Sequence, residues 1–383
     1  MAKLKDMFYL QMGKTPSRNN SDYWSFGKYN WISIADLGTY QKYTKETKEK
    51  ISELAVRDCG MKRVPANTVV MSFKLSLGKT AITKESIYTN EAIMAFIPTG
   101  KFDVLPDYFY YLFSGKDWSK ETNRAVMGST LNKSTLGEVS VIVPPLDKQR
   151  KIAAVLDKVS DLIDKRRQQL DKLDLLIKSK FVEMFGNEYQ FNKWECVSVG
   201  DIAEICVGVV IKPTQYYTDK TGIPAFRSLN IGAMTIKNTD WVYFTKEGYE
   251  KNKKSIIREN DVLVVRSGAP GTACVVTKEF EGYNAIDIII THPNLEKINP
   301  IFLAMFTNMP HGMNQIRGKT GGAAQQHFNV GGYKALNVIL PPIKLQNQFA
   351  VFVDQTEKSK EIIKQSLEKL ETLKKALMQE YFG

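Results

Sequence analysis

The run Val141-Ile142-Val143-Pro144-Pro145 returns 197 residues later as Val338-Ile339-Leu340-Pro341-Pro342. From there the match continues without a gap to two identical endings, Phe185-Gly186 and Phe382-Gly383. Between these points Gln149 meets Gln346, Ala153 meets Ala350, Asp157 meets Asp354, Lys178 meets Lys375 and Glu183 meets Glu380. An ungapped correspondence of this length marks a duplicated unit, so the chain has to fold as two copies of one design.

Each copy closes in one long helix. A double proline cannot donate to a strand ladder and precedes a helix that starts within a few residues. In the first copy Leu156, Val159, Ile163, Leu170, Leu173 and Ile177 recur at alternating steps of three and four, a coiled-coil seam interrupted by Arg166. The second copy offers Val353, Thr356, Ile363, Leu367, Leu370 and Leu377, with Lys360 and Lys374 as interruptions. Paired antiparallel, two such helices of roughly 38 residues would span about 57 Å at the α-helical rise.

A weaker repeat joins the segments before the helices. Asn67-Thr68-Val69-Val70-Met71 resembles Asn260-Asp261-Val262-Leu263-Val264, each leading to a glycine turn at Gly78 or Gly271. Leu4-Lys5-Asp6 with Gly13 resembles Val199-Gly200-Asp201 with Gly208, and Trp31-Ile32-Ser33-Ile34 resembles Phe226-Arg227-Ser228-Leu229. Short strands with turn residues between them dominate, with one helical stretch at Pro106–Phe113 and another at Pro300–Phe306. The expected fold is therefore α+β: two mixed, mostly β domains at 1–143 and 187–340, separated by an antiparallel pair of long helices at 144–186 and 341–383 and related by a pseudo-two-fold repeat.

Charge points to a polyanion. The chain carries 53 Lys and Arg against 41 Asp and Glu, a net charge of +12, and cations displace counterions from phosphates whatever the sequence. No apolar run reaches the roughly 18 residues of a membrane span, and the first residues lack the apolar core of a signal peptide, so the expected location is the cytoplasm. The four cysteines form no Cys-x-x-Cys pair and the histidines lie away from them in sequence, which argues against a zinc cage or a disulfide framework. Leu77-Gly78-Lys79-Thr80 ends like a phosphate-binding loop, but Phe73 stands where that loop needs its first glycine, so a strand-to-strand turn is expected. Both Pro-Pro pairs follow Val or Leu and precede Leu or Ile, unlike the Asn/Asp-Pro-Pro-aromatic grip of adenine methyltransferases, and the acidic residues form no recognisable magnesium-dependent nuclease cluster. No catalytic and no metal-binding residues are assigned.

Pro144-Pro145-Leu146, Gln149, Ile152-Ala153, Leu156-Asp157 and Phe185-Gly186, repeated as Pro341-Pro342-Ile343, Gln346, Phe349-Ala350, Val353-Asp354 and Phe382-Gly383, resemble the specificity subunit of type I restriction-modification systems. That resemblance implies a non-catalytic chain whose two recognition domains bind an asymmetric bipartite site on double-stranded DNA. It further implies two modification (methyltransferase) subunits docked on the helices, with S-adenosylmethionine bound there and not by this chain, and a restriction (translocase/nuclease) subunit as a further partner. Phosphate contacts need cations and base readout favours Arg, Asn and Gln. The candidates in predicted turns are Lys14, Arg18, Lys28, Lys74, Lys79, Arg124 and Lys133 in the first domain. In the second they are Lys212, Arg227, Arg266, Arg317, Lys319, Gln325, Gln326 and His327. A coiled-coil scaffold with terminal protein-binding domains would explain the helices, but not the duplicated basic turns.

Overall fold

Both double prolines sit where the sequence pattern puts them, between a short strand and a helix of 40 residues. The computed structural model describes all residues except 26, 75, 122–130, 188–190 and 320–326. In it the long helices run from Leu146 to Phe185 and from Ile343 to Phe382. Packing divides the chain into two compact units, one made of Met1–Arg167 with Gln365–Gly383 and the other of Gln168–Lys364. Each long helix therefore begins in one unit and ends in the other, a grouping that differs from a division into heads and separate rods.

Unit 1 is built on a four-stranded antiparallel sheet in the order Phe8–Met12, Ile93–Pro98, Val69–Ser72, Thr80–Ile82. Unit 2 repeats it as Ala203–Val207, Ile288–Pro293, Val262–Val265, Ala273–Val275. A second sheet follows the same rule. Trp31 pairs in parallel with Tyr88 in unit 1, and Phe226 pairs in parallel with Ala285 in unit 2. A two-stranded ribbon then ties the first strand of each sheet domain to the strand before its double proline, Ala2–Lys3 with Ser140–Val141 and Cys196–Ser198 with Asn337–Ile339.

The weak repeat is a repeat of backbone shape. Asn67 and Asn260 are both left-handed, with φ of 56° and 72°, and so are Gly78 and Gly271 at 82° and 91°; only Gly, and less often Asn or Asp, accepts that region cheaply. Gly13 and Gly208 are fixed by crowding instead. A Cβ there would lie 2.0 Å from the Thr89 carbonyl oxygen and 2.3 Å from that of Ala285, the same strand in the two copies. The Gly78-Lys79-Thr80 segment is the turn between Val69–Ser72 and Thr80–Ile82, with the Gly78 N–H donating to the Ser72 carbonyl.

Each helix start is bolted by a buried glutamine to the loop that precedes a shorter helix. Gln149 Oε1 accepts the Leu105 N–H at 2.9 Å, while its Nε2 donates to the Asp103 and Pro144 carbonyls at 2.8 and 2.9 Å. Gln346 repeats the pattern with the Asn299 N–H and the Lys297 and Pro341 carbonyls. Both side chains are fully buried, so the amide satisfies backbone groups that would otherwise be stranded away from water.

Within each unit the halves of the two long helices run antiparallel. In unit 2 Asp174 bonds Lys360 at 2.6 Å, and farther along Phe181 packs on Phe349, with ring centroids 5.5 Å apart. In unit 1 Arg167 bonds Glu371 at 2.7 Å, and Leu377 and Met378 reach the cluster around Ile152 and Leu156. Of the seam residues, Leu156, Val159, Ile163, Ile177 and Val353 are buried, and Leu170, Leu173, Ile363, Leu367, Leu370 and Leu377 are half-buried. Lys360, an interruption in the sequence pattern, is buried with its ammonium shared between Asp174 and Glu357. The helix ends lock into hydrophobic clusters: Phe185 against Phe302 in unit 2, and Phe382 against Tyr108 in unit 1.

Replacing Gln149 with Leu keeps the volume and strands one N–H and two carbonyls, so the unfolding free energy should fall by about 2 kcal/mol; urea denaturation followed by far-ultraviolet circular dichroism measures it. In unit 2, His292 Nδ1 lies 2.6 Å from the carboxylate of nearly buried Asp261, and chiefly that bond raises the imidazole from 6.5 to about 9. The raised value means that this stabilisation is complete below pH 6.5 and is lost as pH rises through about 9. His292→Gln should therefore flatten the stability profile of the chain between those limits.

Candidate nucleic-acid interface

The basic residues picked out by the sequence divide into those that stay exposed and those that the fold uses internally. In unit 1 Lys79 and Lys133 are exposed, Lys133 as the first residue of the helix Lys133–Glu138. Lys28 is also exposed, 3.9 Å from Glu53, and Lys74 is half-buried with its ammonium 5.4 Å from the Phe73 ring. Lys14 donates to the Cys59 carbonyl at 2.8 Å. Arg18 grips Glu49 with both terminal nitrogens and lies 3.8 Å over the Trp24 ring. Glu49 is in turn held below its ordinary value, first by that hydrogen bond. Arg124 lies outside the described residues.

In unit 2 Lys212 is exposed and left-handed, with φ of 44°. Arg227 donates to the Asp240 carbonyl while its Nε is buried with no partner. Arg317 is exposed on the helix Pro310–Lys319, and Lys319 at its end donates to the Ala335 carbonyl. Gln325 and Gln326 lie outside the described residues.

Arg266 is recast by the structure. It is only 8% exposed, and it donates to Asp287 Oδ1 at 2.7 Å, to His327 Nε2 at 2.6 Å and to the Phe328 carbonyl at 3.3 Å. A guanidinium has donors only, so His327 Nε2 has to accept. The ring proton of a neutral His327 therefore sits on Nδ1 and goes to Ser267 Oγ, 2.8 Å away. Ser267 Oγ is thus an acceptor in this relay, and its own O–H is left over. Gly268 follows, exposed and left-handed at 89°, with nothing within 4 Å of where a Cβ would stand. The chain Asp287–Arg266–His327–Ser267 ends in a fixed hydroxyl donor beside open backbone. Sequence reasoning missed Ser267; the available signal was Arg-Ser-Gly just after an apolar strand.

Unit 1 has the same scaffold with different chemistry. The Leu131 N–H donates to the Phe73 carbonyl as the Phe328 N–H does to that of Arg266, so buried Phe73 occupies the seat of Arg266. The matched backbone therefore carries an apolar seat in one copy and an ionic relay in the other. Elsewhere in unit 1 a cavity of about 820 Å³ is lined by Lys42, Tyr43, Tyr110, Tyr111, Asp157 and Lys374 among others. There Lys42 bridges Asp107 and Asp157, and Tyr111 donates to Asp157 at 2.7 Å. Burial raises the Tyr111 hydroxyl above its ordinary value and lowers the ammonium of Lys374. Among the described residues no group of three or more His, Cys, Asp or Glu is arranged to hold a metal ion, and no helix is long and apolar enough to cross a membrane.

A family model described as the type I restriction modification DNA specificity domain matches twice, over residues 1–174 and 192–372. The chain belongs to this family. The two matches coincide with the two copies of the repeat, so each copy is one DNA specificity domain. Among relatives, the type I restriction enzyme MjaIX specificity subunit of Methanocaldococcus jannaschii is 27% identical over 371 residues, covering 91% of this chain and 84% of that one. The EcoR124I/EcoR124II specificity subunit of Escherichia coli is 28% identical over 196 residues, 49% of this chain and 47% of that one. Two solved structures share the fold over the whole chain. One, the type I restriction-modification S subunit from M. genitalium, has a TM-score of 0.58 at 12% identity and is covered to 95%. The other, from a study of complex assembly and conformational transition of the type I R-M system, has a TM-score of 0.62 at 16% identity and is covered to 96%.

Proposed function

We propose that this specificity subunit reads an asymmetric, two-part DNA sequence, one part per unit, and carries no reaction chemistry of its own. Two modification subunits dock on the helical region and bring S-adenosylmethionine and methyl transfer; restriction subunits join that assembly. The observation that carries the reading is the duplication: two specificity domains share one backbone plan and differ at the seat of Phe73 and Arg266. Equal scaffolds with unequal surfaces suit two unequal half-sites. The net charge of +12 supports a phosphate-backed grip.

The test is a salt titration of duplex binding by the chain assembled with its modification subunits, combined with mapping of methylated adenines in host DNA. The expected outcome is a steep loss of affinity as salt rises and a methylated motif in two separated parts. A contiguous motif, or duplex affinity indifferent to salt, would overturn the proposal.

Within unit 2 the hydroxyl of Ser267 is assigned to base readout, donating to an acceptor on a base edge. Ser267→Ala should relax preference at a single base pair of one half-site by about tenfold, the size of a lost base contact, and leave the salt slope unchanged. A uniform loss across all sequences with a shallower slope would make Ser267 a phosphate contact instead.

A further inference from the structure

Strand register in unit 2 assembles a second cluster, away from the Ser267 relay. Glu204 pairs with His292 and Val262 with Thr291 across three neighbouring strands. Asp261, just before Val262, therefore flanks His292 on one side. Cys206 is two residues beyond Glu204, and alternate residues of a strand share a face. The row that results is Cys206, His292, Asp261. His292 Nδ1 is 2.6 Å from Asp261 Oδ1 and its Nε2 is 3.9 Å from Cys206 Sγ. Asp261 is itself held, its Oδ2 accepting the Arg258 N–H at 2.7 Å. The imidazole is thus oriented by a fixed carboxylate with its other nitrogen facing a sulfur, the spatial order of a nucleophile, a proton-bearing ring and an orienting acid.

The surroundings set Cys206 apart from Cys196 and Cys274. Its thiol is partly exposed and donates to the Lys254 carbonyl at 3.3 Å. Lys254 also lines a cavity of about 400 Å³ formed by Val207–Val209 and Glu250–Ser255, which brings Lys251 and Lys253 to the same rim, the first paired with Glu247 at 2.6 Å and the second with Glu250 at 3.2 Å. Cys274 is buried in the core and Cys196 is exposed, and burial raises both thiols, Cys274 to about 12.

We propose that Cys206 is a modification site: a thiol activated by the His292–Asp261 pair that exchanges with small anionic disulfides entering the adjoining basic cavity. In the step, the Cys206 proton leaves to solvent and the sulfur attacks one sulfur of the disulfide. The incoming S–S bond breaks, a mixed disulfide forms on Cys206, and the departing thiolate carries off the electron pair and takes a proton from solvent. Cys206 is oxidised and the leaving sulfur is reduced, with no further reactant.

The test uses the full-length chain and 5,5′-dithiobis(2-nitrobenzoate), a dianionic aromatic disulfide, with peptide mass spectrometry to assign each modified cysteine. At neutral pH Cys206 is expected to react about tenfold faster than the more exposed Cys196. His292→Gln should remove the lead, and an uncharged disulfide should react more slowly at Cys206. Equal rates at Cys206 and Cys196 in the unaltered chain would overturn the proposal, and so would a lead that survives His292→Gln. The unaltered chain alone decides the matter where the variant does not fold.

Discussion

Two side-chain amides hold this architecture in register. Gln149 and Gln346 each tie the first turn of a 40-residue helix to the loop that leads into the shorter helix at Pro106 or Pro300. They also close on the carbonyl of the first proline of the pair. A proline lacks an N–H, so the strand has to end there; the glutamine then decides in which direction the chain leaves. The direction in which each long helix leaves that loop follows from three hydrogen bonds made out of contact with water. The seam residues, the aromatic locks at Phe185 and Phe382 and the cross-helix ion pairs all presuppose that direction.

The second half of each helix is held differently. Phe185 sits in an aromatic cluster with Phe181, Phe302 and Phe349, and Tyr108 receives Phe382. A polar clamp therefore fixes where a helix begins, and an apolar socket fixes where it ends. Hydrogen bonds give the clamp its angle, and burial gives the socket its strength. The sheets between them are relieved of holding the helices, and their turns are free to differ between copies.

The duplication, both long helices and their boundaries were legible in the residues because helix periodicity and the proline stops act locally. The weaker repeat in the sheets was legible only at Asn67/Asn260, Gly78/Gly271 and Gly13/Gly208. At those places backbone shape or crowding restricts the residue, while the strands between need only be apolar. The grouping into two units was not legible, since a seam read along one helix does not say which half of the partner it meets. The site was the least legible part. Arg266 looks like a surface reader because its counter-charge at Asp287 and its acceptor at His327 lie 21 and 61 residues away. Arg18 is spoken for by Glu49 in the same way. Cys206 and His292 look unrelated in sequence and meet only because two strands pair. Charge type can be read from a sequence; whether a charge is already spent cannot.

The seam also records how far the two copies have diverged. Ile163 and Lys360 occupy equivalent seats, both buried, yet one is a hydrocarbon and the other an ammonium clasped by Asp174 and Glu357. A gene fused from two first halves would leave Asp174 facing a methyl group, whereas one fused from two second halves would bring a lysine into the seat of Ile163 together with copies of Glu357 and Glu371 to hold it. The two duplicates are thus no longer interchangeable, and recombination between them is tolerated in one sense and meets a lost ion pair in the other.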